Sequence, residues 1–458
     1  MSLASTYESG KKTRSRTTAH ISPRWRAFLS IVFLISMVAS SPAQLVSWII
    51  PDDGFFESDI NWAPVGIPQA NNSVIFGLPG DYQVGLLGHH TIDDANFTNN
   101  SMVTLSRGGG TTDDRQLTIN GQATVDSGRL TIASPAEGGR FNVVVNEAIE
   151  VEGTNASPGE LNVENGSILT SGDGNVAVSA TTHGDVVIDG DHSSWNLGTS
   201  PLHIGANGSV TVDNGGTLAS FRSHLGTAGE SNLATISVRG IGSDGTPSRW
   251  ISGHEVELDQ AQLEIQGGAY VEHDTTYMGV WRVASIRVEG TDAAGNPTRF
   301  STDRFAMANF SSSMANMLVT DGAVVESELV QSGWAGSAWS ELVGTDSAGN
   351  PTTWTIKESL TLGSSADGVV EVKRGARLST GETWLGVRAE GNGVVSLHGS
   401  ADYDSTWHNT GDVFVGGRPS AAGGKGEIGV GAVSYTHLRA HETREDLVCR
   451  LLLEKKNL

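Results

Sequence analysis

Four segments of the chain repeat one alternation of apolar and polar side chains: GSVTVDNGGTL, AQLEIQGGAYV, NMLVTDGAVV and GVVEVKRGARL, which align on Gly215, Gly267, Gly322 and Gly375. In an extended backbone successive side chains point to opposite faces. Val210 with Val212, Leu263 with Ile265 and Val370 with Val372 therefore each share one face of a strand. No helical period competes with this pattern. Each segment predicts strand, glycine turn and strand, followed by a loop and a further strand.

The pattern recurs along the chain. Gly172, Gly226, Gly279, Gly333 and Gly386 are spaced 54, 53, 54 and 53 residues apart, and Trp195, Trp250, Phe300, Trp354 and Trp407 follow at 55, 50, 54 and 53. Before each aromatic lies an apolar residue, a glycine and a polar turn, as in VRGIGSDGTPSRW, VEGTDAAGNPTRF and LVGTDSAGNPTTW. The length differences fall between glycine and aromatic, where Gly-Asn-Pro and Gly-Thr-Pro supply turn chemistry, so they predict a surface loop. A unit of this length divides into two halves of roughly 25 residues, near one coil of a stacked β-structure. The predicted fold is all-β: a right-handed parallel β-helix, or β-solenoid, of repeats about 53 residues long, with an N-terminal β capping module. Either the periodic aromatics form an interior ladder, the favoured reading, or they are exposed as a platform for sugar rings.

The chain divides into four stretches on this reading. Residues 1–43 have the form of an export signal: Lys11, Lys12, Arg14, Arg16, Arg24 and Arg26, then AFLSIVFLISMVA over 27–39, then small residues at Ser41 and Ala43. Cleavage after Ala43 is expected, the alternative being an uncleaved membrane anchor, for which thirteen apolar-rich residues are short against the about 20 that a bilayer needs. Residues 44–125 form the N-terminal β module. Residues 126–432 form the repeats, in units ending near Trp195, Trp250, Phe300, Trp354 and Trp407, with the last unit truncated. Residues 433–458, containing VSYTHLRAHET and DLVCRLLLEKK, resemble a translated sequencing adapter and lose the glycine-rich composition. The alternative is a genuine amphipathic helix. If the tail is foreign, a C-terminal anchor or sorting signal would be missing.

Charge narrows the function classes. The chain carries a formal net charge of −22, but residues 44–432 hold 18 basic and 46 acidic side chains, a net charge of −28. Only Lys357, Lys373 and Lys425 are lysines there, so no basic stripe exists to neutralise phosphates, and neither nucleic acid nor an anionic membrane is an expected partner. Membrane association is expected only through a lost C-terminal anchor or an uncleaved signal. The one cysteine, Cys449, lies in the suspect tail, which leaves no disulfide framework and no thiol chemistry.

Catalytic and metal chemistry is not legible, and no catalytic, cofactor-binding or metal residue is assigned. Asp173, Asp189 and Asp191 place carboxylates in glycine turns where calcium could bind, but they complete no known calcium loop. His89 and His90 are adjacent, which in a strand sends them to opposite faces. Lys373, Arg374 and Arg377 are the one local basic cluster, read as a solvated edge. No metalloprotease, P-loop, dinucleotide or nucleophile-elbow motif is present.

The V-x-V-x-x-G-G segments, the Leu-Gly step at Leu225-Gly226 and Leu385-Gly386, and the closing V-x-G…S-x-W turn resemble the strand-loop-strand repeat of autotransporter passenger regions and of bacterial proteins with a PEP-CTERM sorting signal. The resemblance covers about residues 161–431. Upstream, Trp48, Asn61-Trp62 and Pro68 are similar to the opening module that precedes such arrays, whose aromatics would cap the first coil. The resemblance implies an exported, non-enzymatic structural or adhesin-like protein of the cell surface, outer envelope or extracellular space. Its partners would be polysaccharide or other cell-surface molecules, with no catalytic residues to carry over. The alternative is a secreted β-helix polysaccharide lyase or glycoside hydrolase.

Overall fold

An alternating segment becomes a stable strand only where another backbone satisfies its N–H and C=O groups, and here every coil supplies that edge to the next. The computed structural model describes residues 44–109, 112–135, 138–226, 232–400, 402–418 and 421–431. The stretches read as export signal and as foreign tail lie outside these residues. One sheet contains fifteen strands in strict chain order, and a second, larger sheet is built from the remaining segments of the same coils. Nearly all pairings are parallel, so the chain is a β-solenoid of fourteen steps. At the strand spacing of a sheet this stack is about 70 Å long.

One coil illustrates the path. Gly208–Asp213 lies in the fifteen-stranded sheet, Asn214 and Gly215 turn the chain with φ of 50° and 90°, and Thr217–Ser220 and Arg222–Leu225 follow in the second sheet. Later coils fuse the last two segments into single bent strands such as Arg249–Leu258 and Thr353–Leu362, whose ladders shift register at the bend. Val210 and Val212 are buried, as are Leu263, Ile265, Val370 and Val372. In the fifteen-stranded sheet an inward column runs in register from Val163 through Ile188, Val212, Val238, Ile265 and Val288 without a polar interruption.

Coil length explains the double period. Steps between register partners are 23 residues from Ala261 to Ala284, 31 to Ala315, 23 to Ala338 and 30 to Gly368. Long coils carry the projecting loops, each closed by an antiparallel bridge: Ile241 with Pro247, Thr291 with Pro297, Thr345 with Pro351. At their tips Gly245, Gly295 and Gly349 have φ near +86°, the left-handed region that the Gly-Thr-Pro and Gly-Asn-Pro spacing predicts.

The periodic aromatics are interior, but they do not stack directly. The column reads Trp195, Leu218, Trp250, Val271, Phe300, Val325, Trp354, Leu378, Trp407, so an aliphatic side chain separates each ring from the next. Alternating large and small residues fill a fixed cross-section more closely than a ring on every coil. Trp195, Trp250, Phe300 and Trp354 are fully buried and Trp407 partly so. The residue two before each aromatic has its own task. Hydroxyls of Ser193, Ser248, Thr298, Thr352 and Ser405 accept the turn N–H of Gly166, Gly215, Gly268, Gly322 and Gly375 one coil earlier, at 2.9–3.1 Å.

Two sequence alignments need correction. Gly268, not Gly267, is equivalent to Gly215, because Ile265 rather than Glu264 pairs in the Val212 column. Gly226, Gly279, Gly333 and Gly386 all end the second-sheet segment with positive φ, whereas Gly172 sits at the bend between Ile168–Ser171 and Gly174–Val176. Its place in the 54-residue series is a coincidence of coil length; Ala177 holds the equivalent position, since Val176 pairs with Ile204 and Ile204 with Leu225. The parallel ladders also run through the expected division at 125/126 without a break, Ala123–Asp126 pairing on both sides. In the first coil Gln44–Trp48 pairs parallel with Asn72–Phe76 and antiparallel with Trp62–Ala63. Trp48, Phe56, Trp62, Phe76 and Tyr82 pack together there.

Candidate functional site

Because the hydroxyl and the aromatic of each S-x-W turn point inward, the residue between them points out. In two successive repeats that residue is arginine, Arg249 and Arg299, and the register places Tyr270 between them in one outward row that continues to Val324. The next row carries Glu272, Ser301 and Glu326. The loops closed by Ile241–Pro247 and Thr291–Pro297 rise beside these rows and leave a groove of about 500 Å³. Its second wall is stiff: Asp292 Oδ1 accepts the N–H groups of Ala294 and Asn296 at 2.8 Å, and Oδ2 accepts the Asn296 amide at 2.7 Å.

Electrostatics assign states to the groove. Burial pushes the Tyr270 phenol up to about 12, reinforced by the Glu272 carboxylate to which it donates at 2.8 Å. Tyr270 is therefore a neutral donor at neutral pH, poorly suited to act as a base. Arg299 and Glu326 pair loosely at 3.6 Å with both side chains half exposed. Arg249 has no carboxylate within 4.0 Å among the described residues, and its buried Nε has no acceptor. Below the row, inside the coil, His273 is fully buried with Nδ1 3.0 Å from Thr276 Oγ1, and burial depresses it to about 3. No protein family, curated protein or solved structure matches the chain.

The residues singled out from sequence are not brought together. Asp189 accepts the Asn214 amide at 2.7 Å and so ties its coil to the next, while Asp191 accepts the Ser243 N–H at 3.1 Å from the loop two coils on. No group of three metal-ligating side chains that could hold an ion occurs among the described residues. His90 pairs with Glu57 at 2.6 Å and packs on Phe56, whereas His89 is exposed. Lys373 bonds Glu341 at 2.9 Å and also Glu371, Arg374 forms the glycine turn, and Arg377 lies in the outward row of the other sheet.

Sequence reasoning missed the groove and the exposed aromatics. Trp281 and Phe310 stack at 3.9 Å on the edge where the second sheet turns into the first, and Arg388 lies 4.9 Å over Trp334 along the same edge. A signal for the groove was available: SRW and TRF place arginine at the outward position, whereas SSW, TTW and STW place serine or threonine there. The edge aromatics fall in turns of unequal length, where no period marks them.

Proposed function

We propose that the chain is an exported, non-enzymatic protein of the cell envelope or extracellular space, structural or adhesin-like, akin to autotransporter passengers and PEP-CTERM-associated repeat proteins. The observation that carries this reading is the unbroken parallel ladder of fourteen steps, which makes one long rigid object with continuous outward rows. A surface of net charge −28 over residues 44–432 keeps such an object soluble and self-repelling outside the cell. The signal-like segment at 1–43 supplies export, and the aromatic cluster of Trp48, Phe56 and Trp62 closes the first coil against strand addition. Partners in this reading are polysaccharides or other surface molecules.

The alternative, a secreted polysaccharide lyase or glycoside hydrolase, draws on the gathering of Tyr270, Arg299 and Glu326 in one groove, with Glu272 accepting the Tyr270 phenol. A protonated phenol that already donates to Glu272 weighs against it. A glycan array run with a reducing-sugar release assay separates the two. Binding without turnover is expected; release that disappears in Glu326→Gln selects the enzyme.

A further inference from the structure

We infer that the groove between the Ile241–Pro247 and Thr291–Pro297 loops binds an anionic sugar residue, with its carboxylate or sulfate held by Arg249. This rests on the surface-display reading and names the ligand class for one place on that surface. The chain carries far more acid than base, and Arg115, Arg129, Arg222, Arg239, Arg287 and Arg299 each pair with a carboxylate of the same or the adjoining coil. Arg249 stands in the groove without one, and its Nε is buried with no acceptor among the described residues. With no carboxylate beside it, the guanidinium keeps its terminal N–H groups available to an acceptor that enters the groove. Guanidinium offers paired N–H groups that match a carboxylate or sulfate side-on.

The surroundings fit a sugar better than a bare ion. Ile241, Pro247 and Pro297 give an apolar wall on which the C–H face of a pyranose can lie, and Glu326 and Ser301 offer hydroxyl partners on the floor. Arg299, only loosely tied to Glu326, adds a second cation about two residues of a saccharide away, since Arg249 and Arg299 are two coils apart, about 10 Å. The overall negative charge opposes a long polyanion, but it is screened beyond about 8 Å at physiological salt. A short oligosaccharide lying within the groove feels the local arginines instead.

The test is isothermal titration of the full-length exported chain at physiological salt with three tetrasaccharides: oligogalacturonate, its methyl ester, and a sulfated neutral oligomer. The acid or the sulfated form is expected to bind and the ester to bind at least about tenfold more weakly. Whichever anion binds tells whether carboxylate or sulfate is the natural group. Arg249→Gln should lose at least about tenfold in affinity with an unchanged circular dichroism spectrum and melting temperature, and Arg299→Gln should lose less. Lys357→Gln, outside the groove, should change nothing. Absence of anion binding by the unaltered chain, or equal binding by Arg249→Gln, overturns the inference. Neutral glycans bound on an array regardless of Arg249 would leave the display reading standing while removing this site. Release of unsaturated or reducing ends would remove the non-enzymatic reading while leaving the Arg249 contact intact.

Discussion

Four levels of the interior column and a fifth solve the same packing problem differently. Where the aromatic is tryptophan, its indole N–H donates to a hydroxyl from an earlier coil: Trp195 to Ser171 at 2.9 Å, Trp250 to Ser220 at 3.3 Å, Trp354 to Ser327 at 3.4 Å and Trp407 to Thr380 at 2.8 Å. At the fifth level the ring is Phe300, which has no N–H to satisfy. The position that holds serine or threonine elsewhere holds His273, whose ring meets Trp250 at 4.4 Å and Phe300 at 5.7 Å, edge to face in both cases. A buried donor requires its acceptor, and removing the donor frees the partner position for a larger side chain. The two substitutions therefore belong together, and the difference exchanges a hydrogen bond for a titratable ring.

The largest test removes the neighbours of one level. Residues 196–250 contain the Trp250 and Ser220 pair intact, yet the pair is held only by adjoining coils. Excised, this fragment should be unfolded by circular dichroism; a cooperative β spectrum would show that a level can stand alone. Within the whole chain, Trp354→Ala should cost about 3–5 kcal/mol in chemical denaturation, since it empties a fully buried ring site and leaves the Ser327 hydroxyl without its donor.

Acid should separate the fifth level from the other four. His273 has a folded value of about 3 against an ordinary value of 6.5, so the unfolded chain binds the proton first. The stability contribution is complete above pH 6.5 and is lost as pH falls from there toward 3, at up to about 1.4 kcal/mol per unit. Denaturation of the parent chain and of His273→Ser at pH 7 and pH 4.5 should show the variant losing ~2 kcal/mol less. An identical slope in both chains would mean that the ring is not kept neutral by burial. The smallest effect sharpens the pairing itself. Phe300→Trp alone overpacks against His273, whereas Phe300→Trp with His273→Ser restores the arrangement of the other levels, and the coupling energy should be about 1 kcal/mol in favour of the double variant.

The groove was less legible than the fold. Arg249 and Arg299 follow the turn period, but Tyr270 lies 21 residues after the first and 29 before the second, and only the parallel register sets it between them in one row. Gly172 shows the opposite failure: a residue at the right interval occupies the wrong corner, because coil lengths vary while their doubled sum hardly does.

By itself the sequence determined strands, glycine turns, projecting loops and the doubled period, since alternation and positive φ act over two or three residues and leave their mark on composition directly. Tertiary structure alone decided which hydroxyl receives which turn N–H, that leucine or valine separates the rings, and that two arginines flank a tyrosine beside a rigid wall. Those relations join residues about one coil apart. They depend on how loop length sets register between stacked backbones, and no window along a single strand contains that quantity.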